Sequence, residues 1–417
     1  MKILLKNATL LHEKSPFHNQ IKDVFIDDGL ISLVEDHIEI KADKVIKLKD
    51  LHISSGWFDP NVSFGEPGFE ERETIENGLL TAAKSGFTHI ILNPNTEPKI
   101  GNHADVSHLL NISSDKVTSL HISSVLSEGS EGKKMASLYD LQNAGAVAFG
   151  DYKIAYSNPN LLRIALDYSQ SFDGLIQAYP MDMQLSNNGH MHEGSVSINL
   201  GLKGIPSVAE TSILARDLQL LEYTQGKLHI PLISCANSVE LIRIAKKKGL
   251  DVSCGVGIPH LIYTDNNLTD FNSNFKIFPP LRTVFDQRAL RDGLLDGTID
   301  MVSSMHQPIN QEIKELEFIS AHEGSIGLEA AFVVLQNYFS LEKVISFLTR
   351  GKKRFKIYNN PFEIGNKADL SLFNPNGSDV FSKQHLHSTS KNCMFLGEPI
   401  KGSVYGCIRG NKLQLIS

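Results

Sequence analysis

Metal-assisted hydrolysis needs several imidazole, thiolate or carboxylate groups converging on one ion, and sixteen histidines offer material for such a centre. Their spacing does not. His190-Met191-His192 spells a His-x-His, but it stands before Glu193-Gly194 in a polar loop. His229 lies a few residues before the end of an apolar run and is expected to point into packing or a hydrogen bond, and His260 and His322 have no spaced partners. Lys153 is a poor candidate for a carboxylated metal bridge, since no other ligands await it; Asp151 with Lys153 reads better as an ion pair. Ser63 has no visible His/Asp arrangement to activate it as a nucleophile. No phosphate-cradling loop or dinucleotide fingerprint occurs, so nucleotide cofactors are not expected. The four cysteines (Cys235, Cys254, Cys393, Cys407) form no CxxC and are expected to be buried, reduced thiols.

The elements that must position these side chains follow from the apolar pattern. Near the N-terminus, Val24-Phe25-Ile26, then Asp28-Gly29, then Leu30-Ile31 predicts a hairpin, because Asp-Gly suits the positive φ angles of a primed turn. Near the C-terminus, Leu370 to Phe373, Val404 to Ile408 and Leu413 to Ile416 read as strands. Two β-rich ends imply that the termini pack together. Between them, a helix closed by a stop signal repeatedly leads into a short apolar strand. Ile75, Leu79 and Ala82 share a face before Gly86 and the strand Phe87 to Leu92, and Gly145 precedes Ala146 to Phe149. Ile213 to Leu221 stops at Gly226 before Leu228 to Ile233. Asn237 or Ser238 is expected to cap a helix carrying Val239, Ile242 and Ala245, closed by Gly249 before Leu250 to Cys254. Ala289 to Leu295 ends at Gly297 ahead of Ile299 to Val302. This alternation predicts a parallel sheet with right-handed crossovers, and close to eight units favour a closed (β/α)₈ barrel.

The expected fold class is therefore α/β: a TIM barrel over 54–360 with a small β-sandwich domain made from 1–53 and 361–417. A formal charge of −7 gives no reason to expect nucleic acid or an anionic membrane as partner. No run approaches a membrane span, and Met1 to Lys6 is too short an apolar stretch for a cleavable signal, so a cytoplasmic location is expected.

The run Gly56-Trp57-Phe58-Asp59-Pro60-Asn61-Val62-Ser63-Phe64-Gly65-Glu66-Pro67-Gly68 resembles the first barrel strand of dihydroorotases in the amidohydrolase superfamily. Asn93 to Thr96, Gly145 to Phe149, Phe278 to Arg282, Gly297 to Asp300, Ile326 to Glu329 and Lys367 to Leu370 resemble further family segments in order. The resemblance implies an amidohydrolase-type barrel, a one- or two-zinc centre, and opening and closing of the dihydropyrimidine ring. It also implies where the ligands should stand. The His-x-His pair falls on Asn61 and Ser63, and the bridging carboxylate on Asp151, which is kept. The fifth-strand histidine falls on Gln177 (or Ala178), the sixth-strand histidine on Leu232, and the eighth-strand aspartate on Met305. The arginine that would hold a substrate carboxylate falls on Gly65, a later histidine on Ile309, and an asparagine on Phe278; Asn95 is retained. His306 matches a family histidine and is expected to make a structural hydrogen bond.

With only one strong donor among six positions, the expectation is a non-catalytic scaffold or subunit linked to pyrimidine biosynthesis, with no catalytic residues and no resident zinc. Asn61, Ser63, Asn95, Asp151, Gln177, Leu232 and Met305 would line its vestigial pocket. A homodimer and an aspartate carbamoyltransferase-type partner are what the resemblance suggests. Two alternatives stand beside this: an amidohydrolase of cyclic amides using Asp151-dependent chemistry, and a small-molecule sensor.

Overall fold

The computed structural model describes residues 1–357 and 362–416, so the expected boundary at 360/361 lies outside the described residues. Ten strands come first, the last five of them in the barrel: β1 (Lys2–Leu11), β2 (Ile21–Asp27), β3 (Leu30–Glu35), β4 (Lys44–Ile46), β5 (His52–Ser55), β6 (Trp57–Val62), β7 (Phe87–Leu92), β8 (Ser119–Ser124), β9 (Ala146–Phe149) and β10 (Ile176–Gln177). β11 (Met191–His192), β12 (Gly204–Ile205), β13 (Leu228–Ile230), β14 (Val252–Gly257), β15 (Met301–Ser303), β16 (Asp369–Val380), β17 (Pro399–Arg409) and β18 (Lys412–Leu415) follow.

The barrel sheet runs β6-β7-β8-β9-β10-β13-β14-β15, all neighbours parallel. Its seam is closed by side chains. Asp59 of β6 accepts from Ser303 Oγ (2.9 Å) and from the Ser304 N–H (2.8 Å), while Ser303 Oγ also reaches Asn61 O at 3.1 Å. Beyond the strand the Ser63 N–H donates to His306 O at 2.9 Å. These bonds satisfy polar groups that a closed barrel would otherwise bury unpaired.

The two termini do meet. β16 pairs antiparallel with β5, Leu372 opposite Ile53, giving the order β18-β17-β16-β5-β1-β2-β3 with β4 on β1. Ile3, Leu5, Val24, Ile26, Leu370 and Ile408 form the core of this β-sandwich domain. The terminal sheet extends through Ser55, two residues past the boundary expected after 53. The hairpin forms where expected, with Asp28 and Gly29 at φ of 47° and 80°.

Trp57 joins the two domains. Its indole stacks on Phe332 at 4.6 Å and contacts Phe373 at 5.4 Å, its Nε1 donates to Ser54 Oγ, and its backbone N–H donates to Ser371 Oγ. Gly86, at φ 86°, is obligatory beneath it, because a Cβ there would lie 2.7 Å from the indole. At the barrel floor the 3₁₀ run Arg350–Phe355 inserts Phe355 against Phe58 and His229.

Two local expectations are corrected. The helix carrying Val239, Ile242 and Ala245 spans Ala236–Lys247 and is preceded by Cys235, not capped by Asn237 or Ser238; the Ala236 N–H is instead satisfied by Asp286 Oδ1 at 2.9 Å. The strand expected over Leu228 to Ile233 stops at Ile230, where Pro231 has no N–H to offer. Among the described residues no helix is long and apolar enough to cross a membrane. All four cysteines are buried and unpaired.

Trp57→Ala removes the joint between the domains and should cost about 3–5 kcal/mol in urea unfolding. A loss below about 1 kcal/mol would show that the indole is not holding that seam.

Candidate functional site

Parallel strands closed into a barrel bring their C-terminal ends to one face, and the expected pocket residues gather there. Asn61 and Ser63 stand at the end of β6, Asp151 just past β9, Gln177 at the end of β10, Leu232 past β13 and Met305 past β15. Their polar groups bond to neighbouring strand ends and loops. Asn93, at the end of β7, donates its amide to Asn61 Oδ1 (2.5 Å) and Ser63 Oγ (3.2 Å), so the oxygens of both residues are already engaged. Gln177 Oε1 accepts from Ser123 Oγ at 2.7 Å, and the Gln177 carbonyl accepts from Tyr156 OH at 3.0 Å. Sequence reasoning named Asn93 only within a family-like segment, gave it no place in the site, and passed over Tyr156; the position of Asn93 directly after an apolar strand was the available signal.

Asp151 borders the mouth but is held by the loop after β8. Its carboxylate accepts from the N–H groups of Leu126 (3.0 Å) and Ser127 (3.1 Å) and from the Ser127 hydroxyl, and Ser127 Oγ accepts in turn from the Gly132 N–H. Burial pushes the carboxyl pKa up, and the donors from Ser127 and Leu126 pull against that shift. The expected Asp151–Lys153 pair does not form, because this cage occupies the carboxylate. Lys153 Nζ donates instead to Gln307 Oε1 (2.8 Å) and Glu323 Oε1 (3.3 Å). Asn95 stands apart from the Asn61 network, its buried Oδ1 unpartnered.

The remaining positions are apolar filling. Leu232 is buried in the main core, and Met305 packs so closely over Gly257 that a Cβ there would lie 2.0 Å from its sulfur. Phe278 stacks on Tyr179 at 5.9 Å, with Tyr152 beyond it. The cavity left between Asn93, Asp151, Gln177, Tyr179 and Pro231 is about 10 Å³, room for about one water. Gly65 cannot be an arginine without rebuilding its loop, since a Cβ there would lie 1.8 Å from Phe69 O.

This donor set does not fit a divalent ion. Asn61 and Ser63 are neutral and occupied, Asp151 faces a loop, and Leu232 and Met305 carry no strong donor. Among the described residues no three His, Cys, Asp or Glu side chains converge as an ion would require. The other histidines are engaged elsewhere. His192 Nδ1 lies 3.2 Å from Arg282 Nη1, which also donates to Ile205 O, while Arg282 Nε reaches Ser234 Oγ. His260 Nε2 lies 3.0 Å from Pro279 O, and His229 Nδ1 lies 2.8 Å from Ser253 Oγ. His306 makes the structural bond expected of it: its Nδ1 accepts from the N–H groups of Gly327 (3.3 Å) and Leu328 (3.4 Å). Burial lowers its pKa to about 4.

A family model described as dihydro-orotase-like matches residues 52–238. A dihydroorotase of Acetivibrio thermocellus is 35% identical over 411 residues, covering 97% of this chain and 96% of that protein. A dihydroorotase of Pelotomaculum thermopropionicum is 35% identical over 422 residues, covering 99% and 98%. Among solved structures, the L-hydantoinase (dihydropyrimidinase) from Arthrobacter aurescens superposes with a TM-score of 0.85 at 19% identity, over 100% of this chain and 97% of that one. This last likeness concerns the fold, an amidohydrolase-type barrel with a β-sandwich domain.

Asp151→Ala strips the partner from two buried N–H groups and should cost about 1–3 kcal/mol by chemical denaturation; an unchanged midpoint would refute the clamp. For His306 the folded state disfavours the proton. Stability should therefore fall as pH drops from about 6.5 to about 4 and stay independent of this group above that window. Its ¹⁵N resonances should report an Nε2–H tautomer that does not titrate at neutral pH. A midpoint near the ordinary imidazole value of 6.5 would contradict this.

Proposed function

We propose that this chain, which belongs to the dihydroorotase-like family, is a non-catalytic member of it, a scaffold or subunit tied to pyrimidine biosynthesis. One observation carries the reading. At the barrel mouth, where a hydrolase of this architecture assembles ion, water and substrate, the strand-end side chains hydrogen-bond to one another and fill the space. Ionising water near neutral pH requires a metal held by several charged or imidazole donors. Here one carboxylate remains, and it is spent on the loop after β8.

Full-length relatives named dihydroorotase tie the chain's ancestry to cyclic-amide chemistry, and fold outlasts function readily. A barrel kept intact while its mouth closes is what a structural role leaves behind. The partners this suggests are a second copy of the chain and an aspartate carbamoyltransferase-type enzyme. Asp151-dependent hydrolysis finds little support, because the carboxylate already accepts three hydrogen bonds from the loop after β8 and has no nucleophile or base beside it. A sensor binding in the mouth would first have to displace Phe278 and Tyr179.

The reading is tested by measuring dihydroorotate hydrolysis and ring closure with zinc added, for the chain as it stands and for Asp151→Asn. No turnover above the protein-free background is expected from either. Turnover that disappears with Asp151→Asn would sink the proposal. Affinity capture of the chain from its own cells should bring down an aspartate carbamoyltransferase; capture of the chain alone would remove that partner.

A further inference from the structure

The end of the barrel opposite the mouth carries a larger and differently charged concavity. N-terminal ends of barrel strands ordinarily serve stability. Here the floor opens a pocket of about 480 Å³, bordered by the starts of β14 and β15 and by the residues just before β10 and β13. That volume is in the range of small-molecule sites. Leu175, Val252, Ile299 and Met301 give it an apolar base.

Its rim is basic in a chain whose net charge is −7. Lys227, Arg350, Lys353, Arg354 and Lys356 line it, against the acids Asp173 and Asp300. Those acids are already committed. Asp173 pairs with both Lys227 and Lys356, whose hydrogen bonds pull its pKa down to about 2. Asp300 pairs with Lys246 and accepts from the Cys254 N–H. Two cations share one carboxylate, and others have none. Among the described residues the Lys353 ammonium makes no ion pair or hydrogen bond. Arg350 makes no ion pair either: its Nε and Nη2 reach only the carbonyls of Asp300, Leu294 and Ile299, and its guanidinium lies over the Phe347 ring at 4.9 Å.

The run that carries Arg350, Lys353 and Arg354 is itself held in place. Gly351 lets the 3₁₀ run press against the barrel floor, where a Cβ would lie 2.9 Å from Met301. Phe355 anchors the run from below, and Arg354 is fixed by Asp251 and by Leu228 O. Two fixed guanidinium groups and exposed ammonium groups around an apolar-floored hollow match an anion with a carbon body, and together they favour phosphoryl oxygens.

We propose that this floor pocket binds a small phosphorylated metabolite, with Arg350, Lys353 and Lys356 receiving the phosphoryl group. The site is independent of the mouth and of whether the chain is catalytic. It is tested by calorimetric titration of the full chain with inorganic pyrophosphate at low ionic strength. Lys353→Glu/Lys356→Glu changes two exposed side chains, so folding is retained, as the melting temperature will verify. This variant should weaken binding at least about tenfold. Lys133→Glu/Lys134→Glu makes the same charge change on a remote exposed loop and should alter it less than about twofold. No binding by the unaltered chain, or equal weakening by both variants, would overturn the proposal. Lys227→Met, which leaves Lys353 untouched, supplies a second readout and should weaken binding without reversing a charge.

Discussion

Closing eight parallel strands on themselves forces their last side chains into one small space, and every polar group there must find a partner. An ion at the centre can be that partner only if enough charged or imidazole donors face it. In this chain the strand ends resolve the constraint among themselves. Asn93 bridges Asn61 and Ser63, Ser123 holds Gln177, and the Asp151 carboxylate accepts three hydrogen bonds from the loop after β8. Leu232, Met305, Phe278 and Tyr179 occupy what remains. The result is a packed mouth with a cavity of about 10 Å³ between Asn93, Asp151, Gln177, Tyr179 and Pro231.

The rest of the molecule is built to keep this barrel intact. Asp59 clasps the first strand to the last, Trp57 fastens the barrel to the terminal sheet, and Phe355 stoppers the floor. Lys352 and Asp369 add a buried ion pair at 2.6 Å between the floor and the terminal sheet. None of these contacts needs the mouth to be open. Fold and chemistry are separable in such an arrangement because they rest on different residues.

Much of this was legible in the residues. Asp28-Gly29 announced its hairpin, and the strands Phe87–Leu92 and Ala146–Phe149 stood out as apolar runs after glycine stops. The strand-end positions of Asn61, Ser63 and Asp151 were readable because β6 and β9 are well marked. β10, with two residues, leaves too short a trace for periodicity to register. The direction of the Asp151 carboxylate was not readable either, since it depends on donors from a loop some 25 residues earlier, near the expected reach of no local rule. Lys153 likewise pairs with Glu323, a partner that sequence spacing cannot nominate. The basic floor pocket is assembled from segments far apart in the chain and becomes visible only when the barrel closes.

The most direct measurement of the central claim is anomalous diffraction at the zinc edge from crystals grown with zinc in excess. The mouth bounded by Asn61, Ser63, Asp151 and Gln177 should show no anomalous peak, with Asn93 still bridging Asn61 and Ser63. A well-occupied zinc there, coordinated by side chains that had swung round to meet it, would contradict the account.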